Sequence, residues 1–425
     1  MKNFKDSGIE WLGEIPQDWQ IVPIRCCFGE FNARCNNNDY PLLSVTIANG
    51  VVYQNDITNK KDISNDDKSN YKIVPLGAIA YNKMRMWQGA IGINMLEKGI
   101  VSPAYVVAIP NKKININFSY YLLKSKNMIC EYEKYSYGLC SDMNNLRYED
   151  FQNIKIPLPP LKEQEQIANF LDEKCEQIAN FIEKKEKLIS LLKEQKQVLI
   201  NETITKGLDK NVNFKDSGIE WLGEIPQHWR IVKLKYVAFT NIGLVYSPDD
   251  IVENSDEGYP VLRANNIQNG KIDYQDLIYI KSKQIGKKQI ISSGDLLMCI
   301  RNGSENLLGK TAKIQDENFS FGAFTAIIKS QFNDYFYWVF QTNMLRKSIA
   351  SFSASNGIGQ ISQDDIKNFI ISFPPLKEQE QIANFLDEKC EKIDLLIEKT
   401  KKQIKLIKEY KTTLINQAVC GRIDL

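Results

Sequence analysis

The sequence has a single histidine, His228, among 425 residues, and this scarcity limits the chemistry available to the chain. A serine or cysteine nucleophile activated by histidine would have to use this residue, and nothing in the sequence places a nucleophile beside it. The nine cysteines are an odd number and include no Cys-X-X-Cys pair, so they indicate neither a disulfide framework nor a zinc cluster. We therefore expect no metal site and no catalytic residues, and interpret the cysteines as small buried apolar side chains.

Long apolar runs and a charge excess are also missing. No stretch of about 18 apolar residues could span a bilayer, and the opening MKNFKDSGIEW lacks the apolar core of a signal peptide, which favours a cytoplasmic protein without a membrane partner. The net charge is only +2, so a nucleic-acid surface would require a local concentration of Lys and Arg. The segment GSENLLGKT, which starts at Gly303, has five residues between its glycines where a phosphate-binding loop has four. We expect the chain to bind no cofactor of its own.

What the sequence does contain is a long internal duplication. The opening repeat, FKDSGIEWLGEIPQDWQIV at residues 4–22, returns at residues 214–232 with two changes, Asp18 to His228 and Gln20 to Arg230. The closing repeat, PPLKEQEQIANFLDEKCE, begins at Pro159 and again, unchanged, at Pro374. The segments between them are not copies of each other. This pattern predicts one common framework that holds two different recognition blocks.

The duplication also predicts the domain organisation. A period above 200 residues is too long for a solenoid and indicates two full domains. We expect a first recognition domain at residues 1–158 and a first spacer helix at residues 159–206. A second recognition domain at residues 207–373 and a second spacer helix with a tail at residues 374–425 should follow. The C-terminal GRIDL resembles KGLDK, which starts at Lys206, so a circular two-fold arrangement with neighbouring termini is expected.

Each closing repeat has the composition of a long helix. Prolines precede it, and the following 40 or so residues contain no Gly or Pro. Its apolar residues alternate spacings of four and three, which is typical of a coiled-coil seam, and an antiparallel pair is the favoured arrangement. The alternative is two separate helices, each lying on its own domain. The predicted seam consists of Leu171, Cys175, Ile178, Ile182, Ile189, Leu192, Leu199, Leu386, Cys390, Ile393, Ile397, Ile404, Ile407 and Leu414.

The two blocks between the repeats have a mixed pattern. Short β-rich runs alternate with turn residues, and Asn49-Gly50 and Asn269-Gly270 predict tight hairpins. Each block also contains one helical stretch, at residues 117–135 and 333–352. The fold class is therefore α+β: two globular recognition domains joined by two long helices.

Basic and amide side chains are concentrated in parts of both blocks. Such side chains match base edges and phosphates, although a lysine run alone is more often a solvated surface. The candidate DNA-binding residues are Lys68, Lys72, Asn82, Lys83, Arg85, Gln88, Arg263, Asn265, Lys283, Lys287, Lys288, Arg301, Asn302 and Lys310.

Together these motifs give the sequence a specific resemblance. The two copies of PPLKEQEQIANFLDE before long helices, the repeated WLGEIPQDW and WLGEIPQHW, and GDLLMCIRNG at Gly294 resemble the specificity subunits of type I restriction-modification systems. The likeness covers essentially the whole chain. In the first block GAIAYNKMRMW replaces the GDLLM pattern.

The resemblance implies a function and a set of partners. It implies two target recognition domains that bind the halves of a split, asymmetric sequence in double-stranded DNA, separated by an antiparallel coiled coil. Two methyltransferase subunits that use S-adenosylmethionine, and restriction/translocase subunits that use ATP and Mg, would be the partners. The chain itself would have no catalytic activity. The rival interpretation is a structural protein whose coiled coil joins two protein-binding domains.

Overall fold

The computed structural model describes residues 3–36, 40–57, 67–138, 144–253, 256–301, 307–343, 345–346 and 360–425. Contacts divide the chain into two compact units. Unit 1 contains Met1–Lys185 and Lys401–Leu425, and unit 2 contains Glu186–Thr400. Each unit thus includes one recognition block and part of each long helix. The domain boundaries drawn from the sequence stay predictions.

Unit 1 is built on short antiparallel strands. They are β1 Phe4–Asp6, β2 Glu14–Pro16, β3 Gln20–Pro23, β4 Phe28–Glu30, β5 Leu43–Thr46, β6 Gly50–Tyr53, β7 Lys72–Val74, β8 Ile79–Asn82, β9 Ile91–Ile93, β10 Gly99–Val101, β11 Tyr105–Pro110 and β12 Lys155–Leu158. The largest sheet has the order β4-β11-β8-β9. The predicted hairpin at Asn49-Gly50 is present as β5 and β6, with Gly50 at a positive φ of 66°.

Unit 2 contains the remaining strands. They are β13 Phe214–Asp216, β14 Glu224–Pro226, β15 Arg230–Lys233, β16 Phe239–Ile242, β17 Ile251–Val252, β18 Gly258–Leu262, β19 Ile267–Gln268, β20 Lys271–Ile272, β21 Ile278–Lys281, β22 Leu296–Cys299, β23 Thr311–Lys313, β24 Ser320–Phe321, β25 Thr325–Lys329 and β26 Ile370–Phe373. One sheet has the order β16-β25-β22-β23 and another β17-β21-β18-β24. Asn269 and Gly270 both have positive φ between β19 and β20, as a two-residue type I′ hairpin requires.

Each of the two blocks contains a four-stranded sheet, and the two sheets have the same strand order although the sequences differ. Both β4-β11-β8-β9 and β16-β25-β22-β23 place the first strand beside the fourth, followed by the second and third, with antiparallel pairing throughout. Gly77 and Gly294 adopt positive φ values of 80° and 85° shortly before β8 and β22. The GAIAYNK stretch of block one therefore forms the same strand as GDLLMCI of block two.

The helices follow the proline and glycine signals of the sequence. They are α1 Ile116–Lys124, α2 Lys126–Tyr135, α3 Tyr148–Phe151, α4 Leu161–Lys206, α5 Asn333–Phe340, α6 Gln363–Asn368 and α7 Leu376–Val419. The stretch predicted as one helix at 117–135 is two, because Ser125 is extended and its hydroxyl accepts a hydrogen bond from the Met128 amide. The stretch predicted at 333–352 is helical to Phe340, and residues 347–359 lie outside the described part. None of the described helices is long and apolar enough to cross a membrane.

The long helices α4 and α7 pack against each other within each unit. In unit 1 the start of α4 shares a core with the end of α7, where Leu171 and Ile178 join Leu414 and Ala418. In unit 2 the end of α4 shares a core with the start of α7 through residues that include Ile200, Ile204, Leu386 and Cys390. In both units the start of one long helix packs against the end of the other, so the packing is antiparallel, as the fold prediction states.

The opening and closing repeats form one structural unit. Strand β3 of the opening repeat pairs with β12, which runs directly into the prolines before α4, and β15 pairs with β26 in the same way. Two fully buried tryptophans join the repeats: the Trp19 Nε1 donates to Glu163 Oε2, and the Trp229 Nε1 donates to Glu378 Oε2, both at 2.9 Å. A hydrogen bond from indole to a carboxylate is stronger than a neutral one. Both repeats are therefore required to complete one framework.

Glycines end both long helices in the same manner. Gly207 and Gly421 have φ values of 74° and 73°, a left-handed conformation that favours glycine after a helix. A Cβ on Gly207 would lie 3.1 Å from the Trp229 ring, and one on Gly421 would lie 3.0 Å from the Trp19 ring. The similarity of GRIDL and KGLDK has this structural meaning: each segment closes a helix against the tryptophan of an opening repeat.

Candidate nucleic-acid interface

Basic residues of block one gather around strand β7. Arg34 forms a backbone bridge with Lys72, and the Arg34 guanidinium donates to the Asn70 side-chain oxygen at 3.1 Å. Burial lowers the pKa of Lys72; Glu30 opposes this effect, and the positive charges of Lys83 and Arg34 add to it. The positive charges of Lys83 and Arg34 thus both act on Lys72. Such a cluster attracts phosphate groups.

The turn after β8 holds the other candidates of block one. The Asn82 side-chain oxygen accepts a hydrogen bond from the Met84 amide at 2.9 Å, so this amide stabilises the turn. The Lys83 amide donates to the Ala104 carbonyl at 3.3 Å. Arg85 is exposed just before the short 3₁₀ turn Met86–Gln88, and Gln88 is exposed at its end, whereas Lys68 is half-buried before β7. Lys83 and Arg85 therefore extend from a fixed backbone.

Loops of block two enclose a surface cavity of about 500 Å³. It is lined by Leu244, Val245 and Tyr246 after β16, by Arg263, Ala264 and Asn265 after β18, and by Gly322, Ala323 and Phe324 before β25. Two predicted DNA-binding residues, Arg263 and Asn265, are thus brought together. Both donate to Asp276: the Arg263 Nη2 lies 3.0 Å from its carbonyl oxygen and 3.3 Å from its carboxylate, and Asn265 Nδ2 lies 3.4 Å from that carboxylate.

Arg301 lies in the same region, two residues after the end of strand β22. Its guanidinium carbon lies 5.2 Å from the centre of the Phe324 ring, a cation–π contact at an exposed site. The Arg301 amide also donates to the Phe324 carbonyl at 3.3 Å. Asn302, the next predicted contact, lies outside the described residues.

The predicted lysines of block two lie in different surroundings. Lys283, Lys287 and Lys288 are exposed on two short 3₁₀ turns that follow β21. Lys310 is half-buried, and its Nζ donates to the Ile267 carbonyl at 3.3 Å. The structure thus presents the first three to solvent, whereas Lys310 has an internal partner.

The sequence interpretation missed three residues of these surfaces. Arg34 is distant in sequence from Lys72, so local charge clustering does not identify it. Val245 and Phe324 are apolar, whereas the prediction considered Lys, Arg, Asn and Gln; they are 82% and 55% exposed. The signal that would have found Phe324 is its position at the start of a strand, in FSFGAFTAII.

The predicted seam residues of the long helices are all buried or half-buried. Apolar residues one position earlier in the register are exposed instead, namely Phe181, Leu188, Leu191 and Val198 on α4 and Leu396, Leu406 and Tyr410 on α7. Offset by 215 residues, Phe181 corresponds to Leu396 and Leu191 to Leu406. We call these residues the flanking stripe.

His228 takes part in the framework. Its Nε2 lies 2.7 Å from Glu378 Oε1, the carboxylate that also accepts from Trp229. The residue is exposed at the surface of unit 2, and the corresponding position of unit 1 is Asp18. A structural contact therefore accounts for the single histidine.

Two copies of one sheet and helix framework, each with its own basic loops, define a protein with two recognition domains. The family model "Type I restriction modification DNA specificity domain" matches the chain twice, over residues 22–199 and 226–406. Since these matches cover most of the sequence, the chain belongs to the type I restriction-modification DNA specificity family.

Individual relatives agree with this assignment. The type I restriction enzyme MjaVIII specificity subunit of Methanocaldococcus jannaschii is 27% identical over 446 aligned positions, covering 99% of this chain and 96% of that protein. The type I restriction enzyme EcoKI specificity subunit of Escherichia coli is 29% identical over 207 positions, covering 47% of this chain and 44% of that protein.

Solved structures share the fold. A structure from work on complex assembly and conformational transition of the type I R-M system has a TM-score of 0.75 and 16% identity, and the match covers 96% of this chain and 99% of that one. The HsdS subunit from Thermoanaerobacter tengcongensis has a TM-score of 0.59, also at 16% identity, with 96% and 98% covered. The α+β fold with two recognition domains and long helices that pack together is thus the fold of this family.

Proposed function

We propose that this protein recognises a split, asymmetric DNA sequence, with one half-site bound by each recognition block, and positions two methyltransferase subunits on it. S-adenosylmethionine would be bound by those subunits, and ATP and Mg²⁺ by restriction/translocase subunits of the same complex. The chain contributes recognition and geometry, without catalysis of its own.

One observation carries this proposal: the same framework and the same four-stranded sheet hold different exposed side chains in the two units. A protein that needs two equivalent attachment sites and two different specificities requires this combination. Block one offers the Arg34, Lys72 and Lys83 cluster, whereas block two offers Arg263 and Arg301 around an apolar cavity. Different surfaces would select different half-sites.

Two half-sites are also favoured energetically. A half-site of three or four base pairs discriminates weakly, because each wrong pair costs about 1–3 kcal/mol. Two recognition domains in one chain bind with a high effective concentration for the second half-site. The combined target is therefore selected far more strongly than either half.

The flanking stripe supports the assignment of partners. Exposed apolar residues at heptad spacing on a helix are favourable contacts for another protein. Phe181 and Leu191 on α4 correspond to Leu396 and Leu406 on α7, so two identical partners would meet equivalent surfaces. We assign this stripe to the methyltransferase subunits.

A reconstitution experiment tests the function. The purified chain is combined with its methyltransferase partner, S-adenosylmethionine and a library of random DNA duplexes, and methylated bases are mapped by sequencing. We expect methylation at one bipartite, non-palindromic sequence. A matched control replaces Leu191 and Leu406 with Glu, which should abolish methylation while leaving DNA binding by the chain intact.

The rival class predicts a different result. A structural protein that joins two protein-binding domains would give no site-specific methylation with any methyltransferase partner, and would bind random duplexes without sequence preference. That outcome contradicts the proposed function.

A further inference from the structure

Two apolar side chains of unit 2 project into solvent beside arginines. Val245 is 82% exposed and Phe324 is 55% exposed, and both line the cavity between the loops that follow β16 and β18 and precede β25. An aromatic ring and a β-branched side chain are normally buried, since each contributes apolar area. Their exposure at the same cavity suggests that a ligand covers them.

Main-chain contacts fix these loops. The Leu244 amide donates to the Phe321 carbonyl at 2.7 Å, and the Gly322 amide donates to the Leu262 carbonyl at 2.9 Å. A side chain at Gly243 would collide with the carbonyl of Gly322, so the two loops are in direct backbone contact. Val245 and Phe324 are therefore presented in a defined position.

Hydrogen-bond donors surround the apolar surface. Arg301 lies over the Phe324 ring, and Arg263 lines the cavity, with its Nε buried and without a partner among the described residues. Arg263 also affects Tyr246: burial raises the pKa of this tyrosine, and the guanidinium opposes the rise. Asp276 is the acidic residue that contacts this group, through Arg263 and Asn265.

Block one lacks the aromatic residue at this place. Ala104 directly precedes β11, and Phe324 directly precedes β25. The Ala104 carbonyl accepts a hydrogen bond from the Lys83 amide, and the Phe324 carbonyl accepts one from the Ile300 amide, so the two positions are equivalent. At this pair of equivalent described positions, the exposed aromatic ring is thus present in block two and replaced by alanine in block one. A feature that differs between equivalent positions is suited to specificity.

The combination of groups matches the major-groove edge of particular base pairs. Thymine is distinguished there by its C5 methyl group, which apolar side chains contact, and guanine by the N7 and O6 acceptors, which arginine binds with two hydrogen bonds. We propose that Phe324 and Val245 recognise a thymine methyl group in the half-site of block two, and that Arg301 donates to a guanine of the adjoining base pair. This inference rests on the proposed function.

Base analogues test it directly. Once the target is mapped, each thymine of both half-sites is replaced in turn by deoxyuridine, which removes only the methyl group. The dissociation constant is measured by fluorescence anisotropy for the complex of the full chain with its methyltransferase subunits. We expect about fourfold weaker binding at one thymine, the value for one buried methyl-sized group. The Phe324→Ala complex should show a smaller difference between the thymine and uridine duplexes than the wild-type complex, because only the Val245 contact remains.

The design contains its own controls. Thymines in the other half-site should show the same uridine effect in wild type and Phe324→Ala, and Phe324→Leu, which keeps an apolar contact, should retain part of the discrimination. For Arg301, replacing the adjoining guanine by 7-deazaguanine should weaken wild-type binding by roughly fivefold or more and leave Arg301→Ala unaffected.

The possible failures are distinguishable. Specific binding with no thymine whose uridine effect depends on Phe324 overturns the inference and leaves the proposed function intact. Loss of all sequence-specific binding by the wild-type complex overturns the proposed function, and this inference with it. A 7-deazaguanine effect that persists in Arg301→Ala excludes Arg301 as the residue that binds the guanine.

Discussion

An ion pair between the long helices of unit 2 gives a quantitative test of the helix packing. Lys196 occupies a position of the seam register where an apolar residue is missing, and its Nζ lies 2.7 Å from both carboxylate oxygens of Asp394. The lysine side chain is 26% exposed and the aspartate 48%. The Asp394→Ala change removes the partner and leaves the half-buried lysine charge unpaired.

The magnitude follows from the exposure. Fully exposed pairs contribute about 0.2–1 kcal/mol, and hydrogen bonds to charged groups about 1.5–3 kcal/mol. A partly exposed pair with two short hydrogen bonds lies between these ranges, so we expect a decrease of about 1 kcal/mol in the local unfolding free energy. That decrease corresponds to about fivefold faster hydrogen exchange in α4 residues 190–206.

Control variants separate the ion pair from general damage. Lys196→Met with Asp394→Ala should recover the protection, because an apolar side chain at this position is compatible with the seam. Offset by 215 residues, Lys411 corresponds to Lys196 and Ala179 to Asp394, so Ala179→Asp should stabilise unit 1 by about 0.5 kcal/mol. Unchanged exchange in Asp394→Ala, or an equal change in residues 161–185, would refute this account of the helix packing.

Three further predictions concern spacing, DNA binding and pH. Deleting one heptad from each long helix, residues 183–189 and 398–404, keeps the seam register and removes about 10.5 Å of helix. The gap between the half-sites of the methylated target should then shorten by about three base pairs. An unchanged gap in methylation mapping contradicts the spacer role. Replacing Lys83, Arg85, Arg301 and Lys310 by Ala should weaken DNA binding and reduce the salt slope by about 0.9 for each phosphate that is no longer neutralised. Wild-type affinity together with a wild-type slope would remove these residues from the interface. Burial raises the pKa of the Cys390 thiol from its usual value of 9.0 to about 11. The folded state therefore holds this proton more tightly than the unfolded state, and the free energy of unfolding falls as the pH rises from 9 to 11. In Cys390→Ser, the free energy of unfolding of unit 2 should therefore fall less between pH 9 and pH 11, by up to roughly 2–3 kcal/mol. If the urea unfolding midpoint has the same pH dependence in the variant and the wild type, this prediction is wrong.

The framework could be predicted from sequence because its signals are local. Pro159-Pro160 and Pro374-Pro375 precede helices that begin at Leu161 and Leu376, and the next glycines, Gly207 and Gly421, follow their ends. The alternation of four and three fixes which helical residues are covered. These signals depend on neighbouring residues and on helical geometry, so no knowledge of the tertiary structure is needed.

The candidate interface is harder to predict from the sequence, because its residues are brought together only by the tertiary structure. Phe324, Val245 and Arg301 come from three separate loops, and only the order β16-β25-β22-β23 brings them together. Residue type also does not reveal which side chains have internal partners. Lys310 donates to the Ile267 carbonyl, and Asn82 accepts from the Met84 amide. Their inclusion among the DNA-binding residues stays a prediction.

The pairing of β3 with β12, and of β15 with β26, has a consequence for engineering. Each recognition block leaves the framework and returns to it at adjacent, hydrogen-bonded strands, with Pro23 opposite Lys155 and Lys233 opposite Ile370. An insertion with closely spaced ends can be exchanged without changing the distance that the host must span. Block two transplanted between Val22 and Ile156 should thus fold in its new site and yield a chain whose two halves have the same DNA preference.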